Sequence, residues 1–287
     1  MNPTARGADA MVIDSHQHFW TADYAWLADP SLDRIRRDYG VEDLRANLLA
    51  AGVDRTVLVE AGRGEAAETT EFLATASETP EIAGVVGWAS LTDPALADVV
   101  AGHRAGPGGR LLVGVRDQVQ GQADDFLDRP DVRAGLRAVA DAGLVNEMVV
   151  RVAQLPAVAR AAEALPDSRF VLDHLGKPRI VAGAEGLAEW RAAVAPVADR
   201  PNVVAKLSGL VAEADWPSWT VDDLRPFVET AVRLFGPDRL MFGSDWPVCE
   251  VAATYTEVRE AIEAILGGTP DDIFRTTAIS TYGLTIE

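Results

Sequence analysis

The chain has 287 residues, 48% of them hydrophobic, and its 44 Asp and Glu residues against 26 Lys and Arg residues give a formal net charge of −18. This length and apolar content suit one large core of barrel size, whereas the acidic balance argues against nucleic acid and anionic membrane surfaces as partners. The single cysteine excludes a disulfide framework, and no apolar run approaches the ~20 residues of a membrane span.

The first ten residues are small and polar and lack the apolar core of a signal peptide, so we expect residues 1–10 to form a disordered tail on a cytoplasmic protein. Beyond them, short apolar runs alternate with segments in which apolar residues recur at helical spacing. The runs predict eight strands, the first beginning at 11 and the others at 55–60, 82–91, 111–116, 145–152, 169–174, 202–208 and 239–245. The segments predict helices at 41–51, 66–78, 94–103, 130–142, 156–165, 187–198, 221–235, 255–266 and 271–277.

Apolar strands that alternate with helices indicate a parallel sheet covered on both faces. Eight such units in about 250 residues predict a single (β/α)8 TIM-barrel domain over 1–287. A doubly wound open sheet is the alternative fold, but the chain lacks a glycine-rich phosphate loop after its first strand. The segment 19–39, between that strand and the first helix, is rich in aromatic residues, which predicts an ordered lid.

The first strand runs into a His-x-His pair, His16 and His18. Because side chains alternate along a strand, both imidazoles point to one face of the sheet, with Asp14 behind them. Such a pair forms half of a metal site or an acid/base pair. Alternatively, the two histidines are hydrogen-bonded in a polar corner of the core. The positions of the remaining histidines decide between these interpretations.

Polar residues also occur at the ends of the other predicted strands. In a (β/α)8 barrel, the carboxyl ends of the strands line the active site. Three of the four histidines fall at such ends, whereas His103 is expected on the surface. The convergence of three histidines and one aspartate at one rim therefore predicts a catalytic centre. Its expected members are His16, His18, His174 and Asp245, and other polar residues at these strand ends are Glu60, Arg116, Glu147, Arg151 and Lys206.

Four longer motifs occur in order along the chain: 13–20 (IDSHQHFW), 173–178 (DHLGKP), 206–209 (KLSG) and 241–247 (MFGSDWP). With these motifs the chain resembles the amidohydrolase superfamily, and within it the branch of sugar-acid lactonases that includes L-fuconolactonase-like and L-rhamnonolactonase-like enzymes. The resemblance covers nearly the whole chain. It implies a distorted barrel that hydrolyses esters or amides, often with a bound metal.

The resemblance implies one divalent metal ion, zinc in the first instance, held by His16, His18 and Asp245, with His174 or Glu147 as a further ligand. Imidazole and carboxylate donors suit a zinc ion that keeps an open position for water. A two-metal site is not expected, because the fourth strand ends in an arginine rather than the bridging lysine and the fifth strand has no histidine. Some members of the branch work without metal, so whether the ion is essential stays open.

The reaction implied is hydrolysis of a sugar lactone of the L-fucono, L-rhamnono or galactono type to its aldonic acid. Asp245 is expected to take a proton from the attacking water and to return it to the leaving ring oxygen. The developing oxyanion needs a donor, which the metal or His174 supplies, with Arg116 and Lys206 as further catalytic candidates. Aromatic rings suit the faces of a sugar, and arginines suit its hydroxyls or a carboxylate. The expected substrate-binding residues are Trp20, Trp26, Trp246, Arg63 and Arg151.

Two other functions stay open. A metal-dependent decarboxylase on the same scaffold would act on an aromatic or unsaturated acid, and a non-catalytic protein would bind a sugar acid without turnover. The expected partner is a small-molecule sugar lactone or sugar acid, with no nucleic acid and no membrane. The sequence specifies neither the sugar and its ring size nor the oligomeric state, and a homodimer is compatible with it.

Overall fold

Eight parallel strands form the centre of the molecule and confirm the predicted (β/α)8 barrel. The computed structural model describes residues 11–286, so the tail predicted at 1–10 lies outside the described residues. Strand order in the sheet follows the chain, and each strand runs parallel to the next. The strands are β1 Ile13–Gln17, β2 Arg55–Val59, β3 Ile82–Trp88, β4 Leu112–Asp117, β5 Val145–Met148, β6 Phe170–Leu172, β7 Val203–Leu207 and β8 Leu240–Phe242.

The barrel closes between β1 and the loop that follows β8. The backbone N–H of His18 donates to the carbonyl of Trp246 at 2.7 Å, and that of Asp245 donates to the carbonyl of His16 at 2.9 Å. Gln17 and Trp246 also pair as a parallel bridge. These bonds place Asp245 beside the His-x-His pair, at the carboxyl end of the barrel.

Helices cover the outside of the barrel. Within 11–286, no helix combines the length and the apolar character that crossing a bilayer requires. The third helix begins at Leu96 rather than at 94, because Asp93 Oδ1 first accepts the N–H of Ala95 at 2.8 Å and forms a turn. The helices are α1 Val41–Ala51, α2 Ala66–Glu78, α3 Leu96–Ala105, α4 Pro130–Asp141, α5 Leu155–Ala164, α6 Gly183–Ala198, α7 Val221–Phe235, α8 Tyr255–Leu266 and α9 Thr277–Tyr282.

Two apolar layers stabilise the barrel. One lies between the sheet and the helices and includes the buried rings of Trp190 and Phe227. The other fills the barrel axis, where apolar side chains of the strands pack against Tyr282 of α9. That helix follows a π-helical turn at Asp272–Thr276 and closes the amino end of the barrel. Because apolar side chains line the axis, polar groups inside the barrel need protein partners.

The segment between β1 and α1 is ordered and forms a wall of the barrel mouth. It contains two short 3₁₀ helices. Trp20 and Tyr39, near its two ends, pair as an antiparallel bridge. The hydroxyl of Tyr24 donates to Glu68 at 2.7 Å, which ties the segment to the first turn of α2. These contacts fix the aromatic segment over the carboxyl ends of β1 and β2.

Several strands end earlier than predicted, because the chain turns sharply at the barrel mouth. β6 ends at Leu172 rather than at 174, and β8 ends at Phe242 rather than at 245. β5 likewise ends at Met148 rather than at 152. At His174 and Asp245 the backbone φ is 52° and 57°, values that a β-strand does not contain. The strand ends therefore become loops that carry the polar side chains.

Candidate active site

Four buried side chains converge at the barrel mouth and form the donor cluster: His16 and His18 of β1, His174 after β6, and Asp245 after β8. The Nε2 atoms of His16 and His18 lie 3.0 Å apart. Asp245 Oδ1 lies 3.7 Å from Nε2 of His16 and 3.4 Å from Nε2 of His18. The same oxygen lies 3.8 Å from Nε2 of His174. The structure thus brings together the four residues that the sequence placed at one rim.

The loops that carry His174 and Asp245 have left-handed backbone conformations. The φ angles are 52° at His174, 53° at Leu175, 76° at Gly176, 55° at Lys177 and 57° at Asp245. Residues with a Cβ rarely adopt such angles, because the Cβ crowds the carbonyl oxygen. Strain of this kind persists only where the surrounding contacts impose it, and it concentrates at functional sites.

Gly209 makes room for the donor cluster. Its φ is +66°, and a Cβ at this position would lie 2.5 Å from Nδ1 of His174 and 3.1 Å from Oδ2 of Asp245. Any side chain at 209 would therefore displace the imidazole ring. The glycine that ends the 206–209 motif is thus a structural requirement of the site.

The histidine rings direct their Nε2 atoms into the cluster. Nδ1 of His18 lies 2.9 Å from the carbonyl oxygen of Val59. Because a carbonyl only accepts, this Nδ1 carries the proton and Nε2 keeps a lone pair. Nδ1 of His174 contacts Ser208 Oγ at 2.9 Å. Burial lowers the pKa of His174 to about 4 and that of His16 well below its usual value, so both rings are uncharged at neutral pH.

Toward the barrel axis lies a second group, the ion-pair layer, formed by Arg116, Glu147, Asp173 and Lys206. Lys206 Nζ lies 2.5 Å from Glu147 Oε1 and 3.1 Å from Asp173 Oδ1. It also lies 2.9 Å from Nδ1 of His16, on the side of that ring away from the donor cluster. Burial alone would raise the pKa of Asp173, but Lys206 and His16 hold it well below its usual range. Burial and the charge of Asp173 raise the pKa of Glu147 to about 7, although Lys206 and Arg116 oppose them.

Arg116 lines the barrel mouth with its guanidinium already bound. Its Nε donates to Glu60 Oε1 at 2.5 Å, its Nη1 donates to Asp173 Oδ2 at 2.9 Å, and its Nη2 donates to the carbonyl of Glu60 at 2.5 Å. Burial opposes its charge, but Glu60 and Asp173 outweigh burial and raise the pKa of Arg116. Arg116 is therefore a fixed positive charge.

A cavity of about 260 Å³ opens above the donor cluster. Trp20 and Trp26 line it, as predicted, but their indole N–H groups donate to backbone carbonyls at 3.3 and 2.9 Å. The two residues therefore offer ring surfaces rather than hydrogen-bond donors. Outside the donor cluster, the polar lining consists of Arg116, Gln118, Gln120 and Lys177. A mixed lining of this kind suits a small polar molecule with an apolar face.

The donor cluster has the spacing of a single metal site. Within 11–286, donor atoms of His16, His174 and Asp245 lie within 4.8 Å of one another, and Nε2 of His18 adds a fourth donor. Tetrahedral zinc takes N and O donors at about 2.0–2.1 Å, which separates neighbouring donors by about 3.3 Å. The four separations given above, from Asp245 Oδ1 to each imidazole and between His16 and His18, are 3.0–3.8 Å and lie close to this value. The four residues therefore fit one divalent ion.

Two predicted site residues lie below this centre, which corrects their expected roles. Glu147 forms a second group with His16 and Asp173, but it faces Nδ1 of His16 rather than Nε2. Its Oε1 binds Lys206, and its Oε2 accepts the hydroxyl of Tyr282 at 2.6 Å, so it is not a ligand of an ion in the donor cluster. Lys206 is fully buried and outside the cavity lining, so it does not reach an oxyanion there.

Three predicted substrate-binding residues also lie outside the cavity lining. Trp246 is fully buried, and its Nε1 donates to Glu250 at 2.8 Å, because the left-handed backbone of Asp245 turns the next side chain into the core. Arg63 forms ion pairs with Glu71 of α2 and with Glu65, which directly precedes that helix. Arg151 is exposed at the start of the turn after β5.

Three polar residues of the cavity lining were not among the predicted site residues: Gln118, Gln120 and Lys177. Gln118 Nε2 donates to Glu60 Oε1 at 2.6 Å, and Gln120 Nε2 donates to Gln118 Oε1 at 3.2 Å. Two amides spaced by two residues directly after β4 were the available signal. Lys177 follows His174 by three residues, but only the left-handed turn brings it back to the cavity.

The comparison with known proteins agrees with this geometry. A family model described as "Amidohydrolase" matches residues 13–284. The chain belongs to the amidohydrolase family. The match confirms the family and the enzyme class, a hydrolase, that the four motifs implied.

Three relatives illustrate the similarity. The L-fucono-1,5-lactonase of Burkholderia multivorans is 41% identical over 267 residues, which are 88% of each chain. The L-fucono-1,5-lactonase of Burkholderia ambifaria is 36% identical over 247 residues, 85% of this chain and 82% of the relative. A crystal structure of an amidohydrolase from Burkholderia multivorans with bound zinc superposes with a TM-score of 0.89 at 38% identity, covering 96% of this chain and all of that one.

Proposed function

We propose that this chain hydrolyses a sugar lactone to its aldonic acid, with L-fucono-1,5-lactone as the first substrate to test. The observation that carries the proposal is the donor cluster, in which Asp245 faces three imidazoles at the floor of a cavity with indole walls. The two L-fucono-1,5-lactonases that are 41% and 36% identical to this chain support the choice of substrate.

Asp245 is the general base of the proposed reaction. Burial alone would raise the pKa of this carboxyl, but His174 and His18 outweigh burial and lower it. The carboxylate is therefore ionised at neutral pH and accepts a proton from a water in the cavity. Its Oδ1 lies within 3.8 Å of all three Nε2 atoms, so the water that it activates lies beside the cluster.

The donor cluster would hold one divalent ion, for which we propose zinc. When bound there, the ion supplies Lewis-acid polarisation of the lactone carbonyl and makes water more acidic. The protein prepares the ligands, because the carbonyl of Val59 and the hydroxyl of Ser208 fix the orientations of His18 and His174. Metal analysis of protein purified without chelators should find about one ion per chain.

Hydrolysis then needs only proton transfers by this chain's residues. Water adds to the lactone carbonyl while Asp245 takes its proton, and Asp245 returns that proton to the ring oxygen as the ring C–O bond breaks. The leaving oxygen stays tethered to the product, so no covalent nucleophile is required. Arg116 lines the cavity, and its fixed positive charge favours the oxyanion electrostatically.

The substrate ring packs on the indole surfaces of Trp20 and Trp26. Because both indole N–H groups bind backbone carbonyls, the two rings select an apolar sugar face and not a hydroxyl pattern. The amides of Gln118 and Gln120 are polar groups of the cavity wall that we assign to sugar hydroxyls. The polar residues of the cavity lining, and not the two indoles, therefore select the ring size and stereochemistry of the sugar.

A lactone panel tests the proposal. Purified enzyme is assayed with L-fucono-1,5-lactone and with L-rhamnono and galactono lactones, by the acid released above the uncatalysed rate. Turnover of at least one of these lactones is expected. No turnover of any of them would overturn the proposal, and release of carbon dioxide from an aromatic acid would instead support a decarboxylase.

A further inference from the structure

The cavity contains one cationic side chain that no partner neutralises. Arg116 is bound by Glu60 and Asp173. Lys206, the other cation of the ion-pair layer, lies outside the cavity lining. Lys177 lines the cavity and is half-buried. Among residues 11–286, its ammonium takes part in no hydrogen bond and no ion pair.

The turn that carries Lys177 is held in place by contacts of its own. The backbone N–H of Lys177 donates to the carbonyl of His174 at 2.9 Å. Trp190 Nε1 donates to the carbonyl of Leu175 at 2.7 Å from the buried side of the turn. A Cβ on Gly176 would meet Leu155 at 2.7 Å, so the turn packs tightly. Four consecutive left-handed residues therefore place the lysine at the same cavity as the histidine that begins the turn.

The charge of Lys177 is available to a ligand. Its field reaches Asp245 and Glu213, since it contributes to the electrostatics of both carboxyls, but it pairs with neither. A half-buried ammonium without a hydrogen-bonded partner loses hydration that no direct contact with the protein replaces. Such a group is stabilised when an anionic oxygen enters the cavity.

The proposed reaction creates an anionic oxygen of this kind. The substrate lactone is neutral, the carbonyl oxygen becomes negative as water adds, and the product is a carboxylate. Asp245 is itself an anion in the same cavity and repels both species. An unpaired cation on the cavity wall therefore favours both species, and the guanidinium of Arg116 is already bound by Glu60 and Asp173.

We propose that Lys177 is a catalytic residue that binds the oxygens of the reacting carboxyl carbon, first as the oxyanion and then as the product carboxylate. This assignment rests on the proposed lactone hydrolysis. Because of Lys177, the cavity binds anionic ligands more tightly than neutral ones. The contact is stronger in the transition state than with the neutral lactone, so it acts mainly on kcat and less on KM.

The test compares Lys177→Met with Lys177→Arg, which keeps the charge, and with Arg179→Met. Arg179 lies two residues further along, is about half exposed and pairs with surface glutamates, so its loss is a matched control. Each variant is assayed with L-fucono-1,5-lactone and titrated with L-fuconate and with neutral L-fuconamide as inhibitors. Metal content and melting temperature are recorded for all of them.

Lys177→Met is expected to lower kcat by about 10- to 100-fold, the scale of a lost charged hydrogen bond, and to weaken L-fuconate inhibition to a similar extent. L-fuconamide inhibition should change less, Lys177→Arg should recover part of the loss, and Arg179→Met should match the unmodified enzyme. Lactone turnover with equal L-fuconate inhibition in Lys177→Met would overturn this inference and leave the proposed function intact. If the unmodified enzyme hydrolyses no sugar lactone, the proposed function fails and this inference fails with it.

Discussion

The donor cluster and the ion-pair layer lie on opposite sides of the His16 ring, and they use their polar atoms differently. Nε2 of His16 faces the cluster, whereas Nδ1 faces Lys206 and Asp173. In the ion-pair layer, each charged group contacts a group of opposite charge. In the cluster, one carboxylate faces three imidazole rings and an open cavity. The ion-pair layer therefore holds the side chains of the site in position. The lone pairs of the donor cluster stay available to bind a metal ion or to accept a proton.

Breaking the ion-pair layer should have the largest effect. Lys206→Met keeps the aliphatic stem but leaves Glu147 buried without its cation and leaves Asp173 with Arg116 as its remaining cation, so the free energy of unfolding should fall by about 3–5 kcal/mol. This change in the free energy of unfolding is measured by urea unfolding monitored with circular dichroism. Arg129→Met, which breaks an exposed pair with Asp131, is the control and should leave the midpoint nearly unchanged. A Lys206→Met protein as stable as this control would show that the layer does not support the barrel.

Removing one donor from the cluster should separate activity from stability. His18→Ala deletes an Nε2 atom of the proposed metal site, so bound metal should fall and kcat/KM should drop by at least about 100-fold, since metal-ion catalysis supplies several kcal/mol. The free energy of unfolding should change far less than in Lys206→Met. Inductively coupled plasma mass spectrometry and lactone assays measure the two effects, with His103→Ala as the matched histidine control. Full metal content and activity in His18→Ala would contradict the assigned site.

A substitution that removes a single hydrogen bond from the ion-pair layer should leave the catalytic activity intact. Tyr282→Phe removes the hydroxyl that donates to Glu147 Oε2 at 2.6 Å. A buried carboxylate oxygen then lacks a donor, so the free energy of unfolding should fall by about 1–3 kcal/mol. Lactone kcat/KM is expected to stay within about threefold of the unmodified enzyme, because this contact is two side chains away from the cavity. A loss of activity as large as that of His18→Ala would show that the two layers are not separable.

Position along the strands predicted the donor cluster but not the ion-pair layer. Side-chain alternation in the His-x-His pair and the strand-end positions of His174 and Asp245 were enough to bring these residues together. Glu147 and Lys206 also lie on strands, but their depth in the barrel depends on strand register and tilt. The spacing of apolar residues does not specify register or tilt. Both side chains were therefore expected at the barrel mouth, whereas they lie one layer deeper in the barrel.

Loop conformation explains the remaining differences between sequence and structure. Trp246 was expected on the sugar, but the left-handed φ of Asp245 turns it inward. Lys177 was not singled out, because left-handed turns are signalled by glycine or asparagine and this one is built mostly from residues with larger side chains. Arg63 and Arg151 lie in loops after β2 and β5, whose direction no periodic pattern specifies.

The most direct test of the reaction centre is kcat/KM of Asp245→Asn for L-fucono-1,5-lactone. The amide cannot accept the proton of the attacking water, so kcat/KM should fall by at least about 100-fold while the unfolding midpoint stays close to that of the unmodified enzyme. Asp167→Asn, an exposed aspartate remote from the cavity, should keep full activity. An Asp245→Asn enzyme that hydrolyses the lactone at the unmodified rate would contradict the assignment of Asp245 as the base and, with it, the proposed mechanism.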